Sequence, residues 1–461
     1  MNIRDILERS GYKDLVPADW YTQIDAWRAW YKGETDWHAY KVYNGKKHIS
    51  CARRSLNMAK KVCEDKADLL LNERVEIIAT PNTAKADNRA QEMLDAVLED
   101  NNFWVLGNQL IETVNSLGTG AFVAYRDRDA VRIDYLPADC IFPLAWTCGR
   151  VTECAFASTF TDGKDGVKTY VNLHVLEGGQ YVIYNRLYDK DGKDLPLPDG
   201  VLPAVKTGGS LPYFQIIKPN LVNNITPGSP MGVSVFAGAV DVLMGIDLVY
   251  DSYQNEFVLG KKRIFVDGSV LNLDKQSGAN MPVFDPKDTV FYSIPGEDDP
   301  KKAITESNME LRVSEHRQAL QDGLDLLAEK CGFGKGYYKF DADNVKTATE
   351  VISQNSQLYR KVRKDEIVLE PALVGLARAI LMLAGYTEEV DISVSFDDSI
   401  IEDKEAIFKR AMLEKQAGLI DEVEYHKRVD GMTEDAAIDF VTKMRERAGP
   451  TPDELTVGGG A

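Results

Sequence analysis

The feature that most constrains this chain is one uninterrupted helical pattern from residue 347 to 383, TATEVISQNSQLYRKVRKDEIVLEPALVGLARAILML. At 1.5 Å per residue it spans about 55 Å, more than one compact core can cover. An elongated subunit packed laterally against copies of itself is therefore expected. Pro371 lies inside the pattern and should kink it, because the ring removes a backbone donor and clashes with the preceding turn.

The rest of the 461 residues has to be arranged around that rod, and the length alone calls for two or three domains. Upstream, Trp20, Ile24, Trp27 and Tyr31 recur at helical spacing between Pro17 and Gly33. That stripe reads as a helix docked on its own core or on a neighbouring subunit. Residues 51–72 read as a second helix, 74–79 as a strand, and 84–98 and 103–117 as further helices closed by Gly118-Thr119-Gly120. A β-rich block occupies 121–217, with strands at 121–127, 130–136, 151–161, 168–177 and 180–188. Within it Val171, Leu173 and Val175 alternate with Tyr170, Asn172 and His174, the period of a half-buried strand. His174, on the polar phase, reads as a surface or hydrogen-bonded residue.

A Pro- and Gly-rich loop, 218–232, precedes a helix over 233–259 with the stripe Phe236, Val240, Leu243, Tyr250, Tyr253 and Phe257. Short strands and prolines fill 261–308, where Glu297-Asp298-Asp299 is an acidic run. A helix with the stripe Val313, Leu320, Leu324, Leu327 and Cys331 follows. After the long helix come a strand at 391–396 and a charged helical module at 400–448. The last residues, 449–461, have the composition of a disordered tail. The whole is an α+β architecture.

Composition limits the chemistry. No run approaches the roughly 20 apolar residues of a membrane span, and the N-terminal stretch lacks the apolar core of a signal peptide. A soluble protein made in the cytoplasm is expected, with no membrane partner. The six cysteines form no CxxC pair and have no His at ligand spacing, so they read as buried free thiols rather than a metal site. The net charge of −18 argues against tight DNA binding, which needs Lys and Arg to displace counterions. A conduit that lets a polyanion slide past suffers less from weak, mildly repulsive walls.

Gly332, Gly334 and Gly336 invite comparison with a phosphate cradle, yet GxxxxGK[ST] between strand and helix is absent. Here the loop joins two helices, and Tyr337 stands where Lys would be. The glycines read as hinges instead. Two readings of the loop stand side by side. In one, Lys335, Lys339 and Lys346 with Tyr337, Tyr338 and Phe340 offer charge and planar surface to a sugar-phosphate backbone. In the other, the aromatics tuck back onto the protein. The run Arg360-Lys361-Arg363-Lys364 is read as a solvated or intersubunit face. No GxSxG, HExxH or Walker pair occurs, so neither enzymatic function nor a cofactor is expected.

The segment FDADNVKTATEVISQNSQLYRKVRK, residues 340–364, resembles the loop-to-long-helix junction of portal proteins from long-tailed bacteriophages of Gram-positive bacteria. IDAWRAWYKGE near the N-terminus and GVSVFAGAVDVLMGIDLVYDSYQNEF before the insertion are similar to that family as well. The resemblance implies a portal fold and a dodecameric ring at one capsid vertex, through which double-stranded DNA is packaged and ejected without sequence preference. It implies a wing at 1–231, stem helices at 232–260 and 309–331, and a clip at 261–308. A tunnel loop at 332–346, a kinked helix returning to the wing at 347–399 and a crown at 400–448 complete it. Implied partners are the terminase large subunit, head-completion adaptors, scaffold and major capsid protein. The implied location is the virion, after assembly in the host cytoplasm. Another phage structural protein, or an enzyme with an unfamiliar site, is the alternative.

Overall fold

The computed structural model describes residues 3–43, 45–72, 75–81, 88–163, 166–260, 263–267, 291–294, 304–307, 309–339, 348–396, 404–432 and 434–448. Helices α1 (Ile3–Arg9) and α2 (Ala18–Lys32) lead through residues 33–38 into a hairpin, β1 (Ala39–Tyr43) and β2 (His48–Ala52). Then come α3 (Met58–Leu70), β3 (Glu76–Pro81), α4 (Arg89–Asp100) and α5 (Phe103–Leu117). The β-rich block comprises β4 (Gly120–Asp127), β5 (Ala130–Pro137), β6 (Ile141–Thr147), β7 (Arg150–Asp162), β8 (Gly166–Glu177) and β9 (Gln180–Asp189). The short β10 (Asp194–Leu195), β11 (Ala204–Lys206) and β12 (Phe214–Ile217) close it. Helix α6 (Val240–Leu259) precedes β13 (Arg263–Asp267), β14 (Phe291–Ile294) and β15 (Ile304–Ser307), and α7 (Val313–Cys331) comes next. The long helix α8 (Ala348–Leu383), β16 (Val390–Ser395), α9 (Lys404–Gln416), α10 (Glu422–Asp430) and α11 (Glu434–Ala448) complete the chain.

Helix α8 is continuous past Pro371. Ile367 and Pro371 both lie on its exposed face, so the carbonyl that proline leaves without a donor can be hydrated. Its opposite face carries Leu369, Leu373, Leu376 and Ile380 into a core shared with α3, α4, α5 and the sheet β12-β4-β5. Strand β16 returns antiparallel to β3 beside that core.

The second core forms where the tryptophan stripe is expected to dock. Trp20, Ile24 and Trp27 are buried in a cluster that also holds side chains of α3, α6 and α7, within the subunit itself. Burying each such side chain contributes about 1.5–3 kcal/mol. Pro17 and a left-handed Gly33 bound α2 as the sequence suggests. The backbones of α5 and the 231–235 segment cross at Gly118 and Gly232, where a Cβ on either would collide with the carbonyl of the other.

Several expectations need correction. The helix expected from residue 51 starts at Met58, because 48–52 pair with 39–43 and Asn57 adopts a left-handed conformation. The helix expected from 233 starts at Val240, and Phe236 is a fully buried plug just before it. Strand β6 escapes the sequence pattern because Pro143 interrupts it; the ladder with β7 shifts register beside that proline. Of the two expectations for His174, the hydrogen-bonded one holds: its Nε2 pairs with Asn172 Oδ1 at 2.5 Å, and the ring is buried rather than at the surface. Val171 and Leu173 face one core, and the opposite face of the sheet is covered by Phe214 of β12, so the polar phase is enclosed too. Of the six thiols, Cys63, Cys154 and Cys331 are buried, whereas Cys51 and Cys140 are half-buried and Cys148 is exposed. Lys346, Phe340, the 297–299 acidic run and the 449–461 tail lie outside the described residues.

Candidate functional site

Helices α6 and α7 form an antiparallel pair. At one end Gly323 lets Ile246 approach closely; a Cβ there would meet the isoleucine at 2.9 Å. At the other, Arg312 donates to Glu256 from Nε at 3.0 Å and Nη2 at 2.8 Å, a two-pronged contact that holds the Glu256 carboxyl down to about 2. Leu243 and Ile246 share one buried cluster with Leu320, Leu324 and Leu327 of α7.

Gly332 terminates α7 in a left-handed turn at φ 91°, its N–H directed to the Ala328 and Glu329 carbonyls. Gly334 at φ 87° and Gly336 at φ 78° continue the reversal, which explains the glycine spacing in steric terms. Asp325 organises the loop from Gly336 onward. One carboxylate oxygen accepts the Gly336 N–H at 3.1 Å and Gln321 Nε2 at 2.9 Å, and Gln321 also donates to the Tyr338 carbonyl at 2.8 Å. The loop is thereby folded onto the last turns of α7.

Phe333, Tyr337 and Tyr338 form a mutual cluster with ring centroids 4.6–5.6 Å apart. Phe333 and Tyr338 are buried, whereas Tyr337 is 40% exposed. Burial, then the Asp65 carboxylate, pushes the Tyr338 phenol far above its usual range; burial and the same acidic helix raise Tyr337 to about 12. Lys335 projects outward, 79% exposed, with Nζ 3.9 Å from Asp325. Lys339 is also exposed. The loop is seated between α3 and α8: Asp65 and Asp68 lie near the tyrosines, and the Lys361 stem lies 3.5 Å from where a Gly332 Cβ would be. The loop's side chains therefore divide by direction. Phe333 and Tyr338 tuck back, and Lys335, Tyr337 and Lys339 face outward.

This arrangement cannot cradle a phosphate as built. The Gly332, Phe333 and Gly334 amides point to helix carbonyls, Gly336 is taken by Asp325, and the Tyr337 N–H donates to the Gly334 carbonyl. Nor do His38, Ser55 and Asp247 form a nucleophilic triad. His38 and Ser55 both donate to Asp247, at 2.8 Å and 3.1 Å, whereas an activated serine would have to donate to the histidine. Among the described residues no group of three His, Cys, Asp or Glu side chains converges as metal ligands. No helix among them is long and apolar enough to cross a membrane. In the basic run, Arg363 pairs with Glu366 at 3.0 Å and stacks on Tyr359, while Arg360, Lys361 and Lys364 are exposed.

Gln321 and Asp325, the residues that shape the loop, belong to no motif read from the sequence. Their i, i+4 spacing on one helix face just before the glycines is the available signal.

The model of the family described as "Phage portal protein, SPP1 Gp6-like" matches residues 18–181 and 220–451. No curated protein matches significantly. Among solved structures, a chain from "Virion of native gene transfer agent (GTA) particle" is similar at 14% identity and a TM-score of 0.43. The alignment covers 93% of this chain and 98% of that one. Family membership rests on the family model alone.

Proposed function

Because the chain belongs to the phage portal protein family, SPP1 Gp6-like, we propose that it forms a dodecameric ring at one capsid vertex, through which double-stranded DNA enters and leaves. The observation that carries this reading is the extent of the family match, which spans both cores, the α6–α7 pair and the long helix. The family is a structural one in phage particles, and no enzymatic step is assigned to the chain.

In this reading α6 and α7 are the stem around the channel, with the stretch containing β13–β15 as the clip that meets the terminase and, later, head-completion proteins. Residues 1–231 form the wing, to which α8 returns through β16, and α9–α11 form the crown. The loop after α7 constricts the channel, with Gly332, Gly334 and Gly336 setting its turn and Pro371 a bend in α8. Lys335 and Lys339 would contact passing phosphates, with Tyr337 beside them and Lys346 further along the loop. Contacts of this kind are weak and carry no base information, which suits a conduit in a chain of net charge −18.

Immunogold labelling of assembled particles tests the assignment. Label confined to one vertex is the expected result, and label spread over the shell would overturn it.

A further inference from the structure

The β1–β2 hairpin is absorbed by none of the roles above. From Ala39 to Arg54 the sequence contains Lys41, Lys46, Lys47, Arg53 and Arg54 and no Asp or Glu, in a chain of net charge −18. Such a local reversal of sign is a recognition feature when the segment is held in place, and this one is.

Its base is clamped to α6 by two buried acids. Asp247 accepts His38 Nε2 at 2.8 Å and the Leu56 N–H at 2.8 Å, and Asp251 accepts the Arg54 N–H at 3.2 Å. The Arg53 guanidinium lies over Trp37 and Tyr40, 4.0 Å and 4.3 Å from the ring centroids. The Arg53 backbone N–H donates to the His38 carbonyl at 2.7 Å.

Beyond that base the hairpin extends into solvent. Described residues 41–50 are exposed on both faces of the ribbon. The register places Val42 opposite Ile49 and Tyr40 opposite Cys51, so one face is an apolar ladder. The other carries Lys41, Ser50 and the Tyr43–His48 ring pair. Val42 is 45% and Ile49 41% exposed. A two-stranded ribbon with an uncovered apolar face is marginal in water and is stabilised by a surface laid against it.

We propose that this hairpin is an intersubunit arm, whose Val42–Ile49 face and lysine-bearing tip lie on an acidic surface of the neighbouring copy in the ring. This rests on the portal reading. Charge complementarity selects the occupant, because the basic arm belongs to a chain of net charge −18 and a further copy of that chain would adjoin it at every position of the ring. The apolar ladder favours a protein partner over nucleic acid, whose backbone offers an aliphatic pair nothing to desolvate against. A basic arm reaching an acidic neighbour is a head-to-tail contact, the kind that closes rings.

Two measurements test it on the full chain. Ile49 exchanged for a benzophenone-bearing residue should give, on irradiation of assembled rings, a ladder of covalent dimers and higher species, and none from dissociated subunits. Separately, Val42→Ser/Ile49→Ser and the tip variant Lys46→Glu/Lys47→Glu should each raise the concentration needed for half-assembly by about tenfold or more. The tip variant leaves the strand pairing untouched and guards against simple misfolding. Rings that assemble at unchanged concentration without the cross-link would overturn the proposal. So would unchanged assembly with lost retention of duplex DNA on a filter, which would make the hairpin a nucleic-acid arm. If the wild-type chain forms no ring at all, it is the portal reading that fails.

Discussion

Lys66 of α3 and Asp365 of α8 make the one contact whose removal should most directly uncouple the long helix from the rest of the subunit. Nζ lies 2.6 Å from the carboxylate, and the side chains are only 9% and 8% exposed. The second carboxylate oxygen accepts the Asn220 N–H at 3.1 Å, so three segments meet there. Removing one partner leaves a buried charge without compensation, at a cost of about 3–5 kcal/mol. Asp365→Leu also orphans the Asn220 amide, adding about 1–3 kcal/mol. Lys66→Met should cost about 3–5 kcal/mol by itself. The double variant removes both charges together and should retain only the amide penalty and small packing changes. The two losses are therefore far from additive: the summed single losses exceed that of the double variant by about 6–10 kcal/mol, which is the coupling energy. Equilibrium urea unfolding followed by tryptophan fluorescence, compared as a double-mutant cycle, measures this while contributions from other parts of the chain cancel. A coupling below about 0.5 kcal/mol, the limit of ordinary additivity, would refute the argument.

Single positions carry further consequences. Gly118→Ala should lose soluble expression, because φ +81° and the Gly232 carbonyl both exclude a Cβ, whereas Gly238→Ala, in open space, should not. Burial lowers His174 from 6.5 to about 3, so the fold holds the neutral imidazole. Its contribution to stability is complete above pH 6.5 and is lost as the pH falls from 6.5 towards 3, by up to about 1.4 kcal/mol per pH unit. His174→Gln should flatten that acid slope in pH-dependent urea unfolding, and an unchanged slope would exclude His174 as its source. Lys335→Glu/Lys339→Glu should leave ring assembly intact and impair retention of packaged DNA; normal retention by filled heads would remove these lysines from the channel.

The parts of the fold legible in the sequence are those with a local rule. The 348–383 helix, the buried Trp20–Ile24–Trp27 stripe and helix α5 follow from periodicity and from stop signals such as Gly33 and Gly118. The parts that escape depend on partners distant in sequence. Nothing within β8 reveals that Phe214, some 40 residues on, covers the polar phase and encloses His174. The hairpin 39–52 lacks a buried face altogether, so a pattern built on burial passes over it. The glycine-rich loop is legible as a connection between two helices. Which of its aromatics turn inward depends on α3, through Asp65 and Asp68, and that proximity is tertiary.

The central claim is that this chain closes into a ring with an axial opening. Negative-stain electron microscopy of the purified full chain tests it most directly. Closed, rotationally symmetric rings with a central hole are the expected result, the subunit count following from class averages. Monodisperse monomers at micromolar concentration, solid discs or open filaments would contradict it.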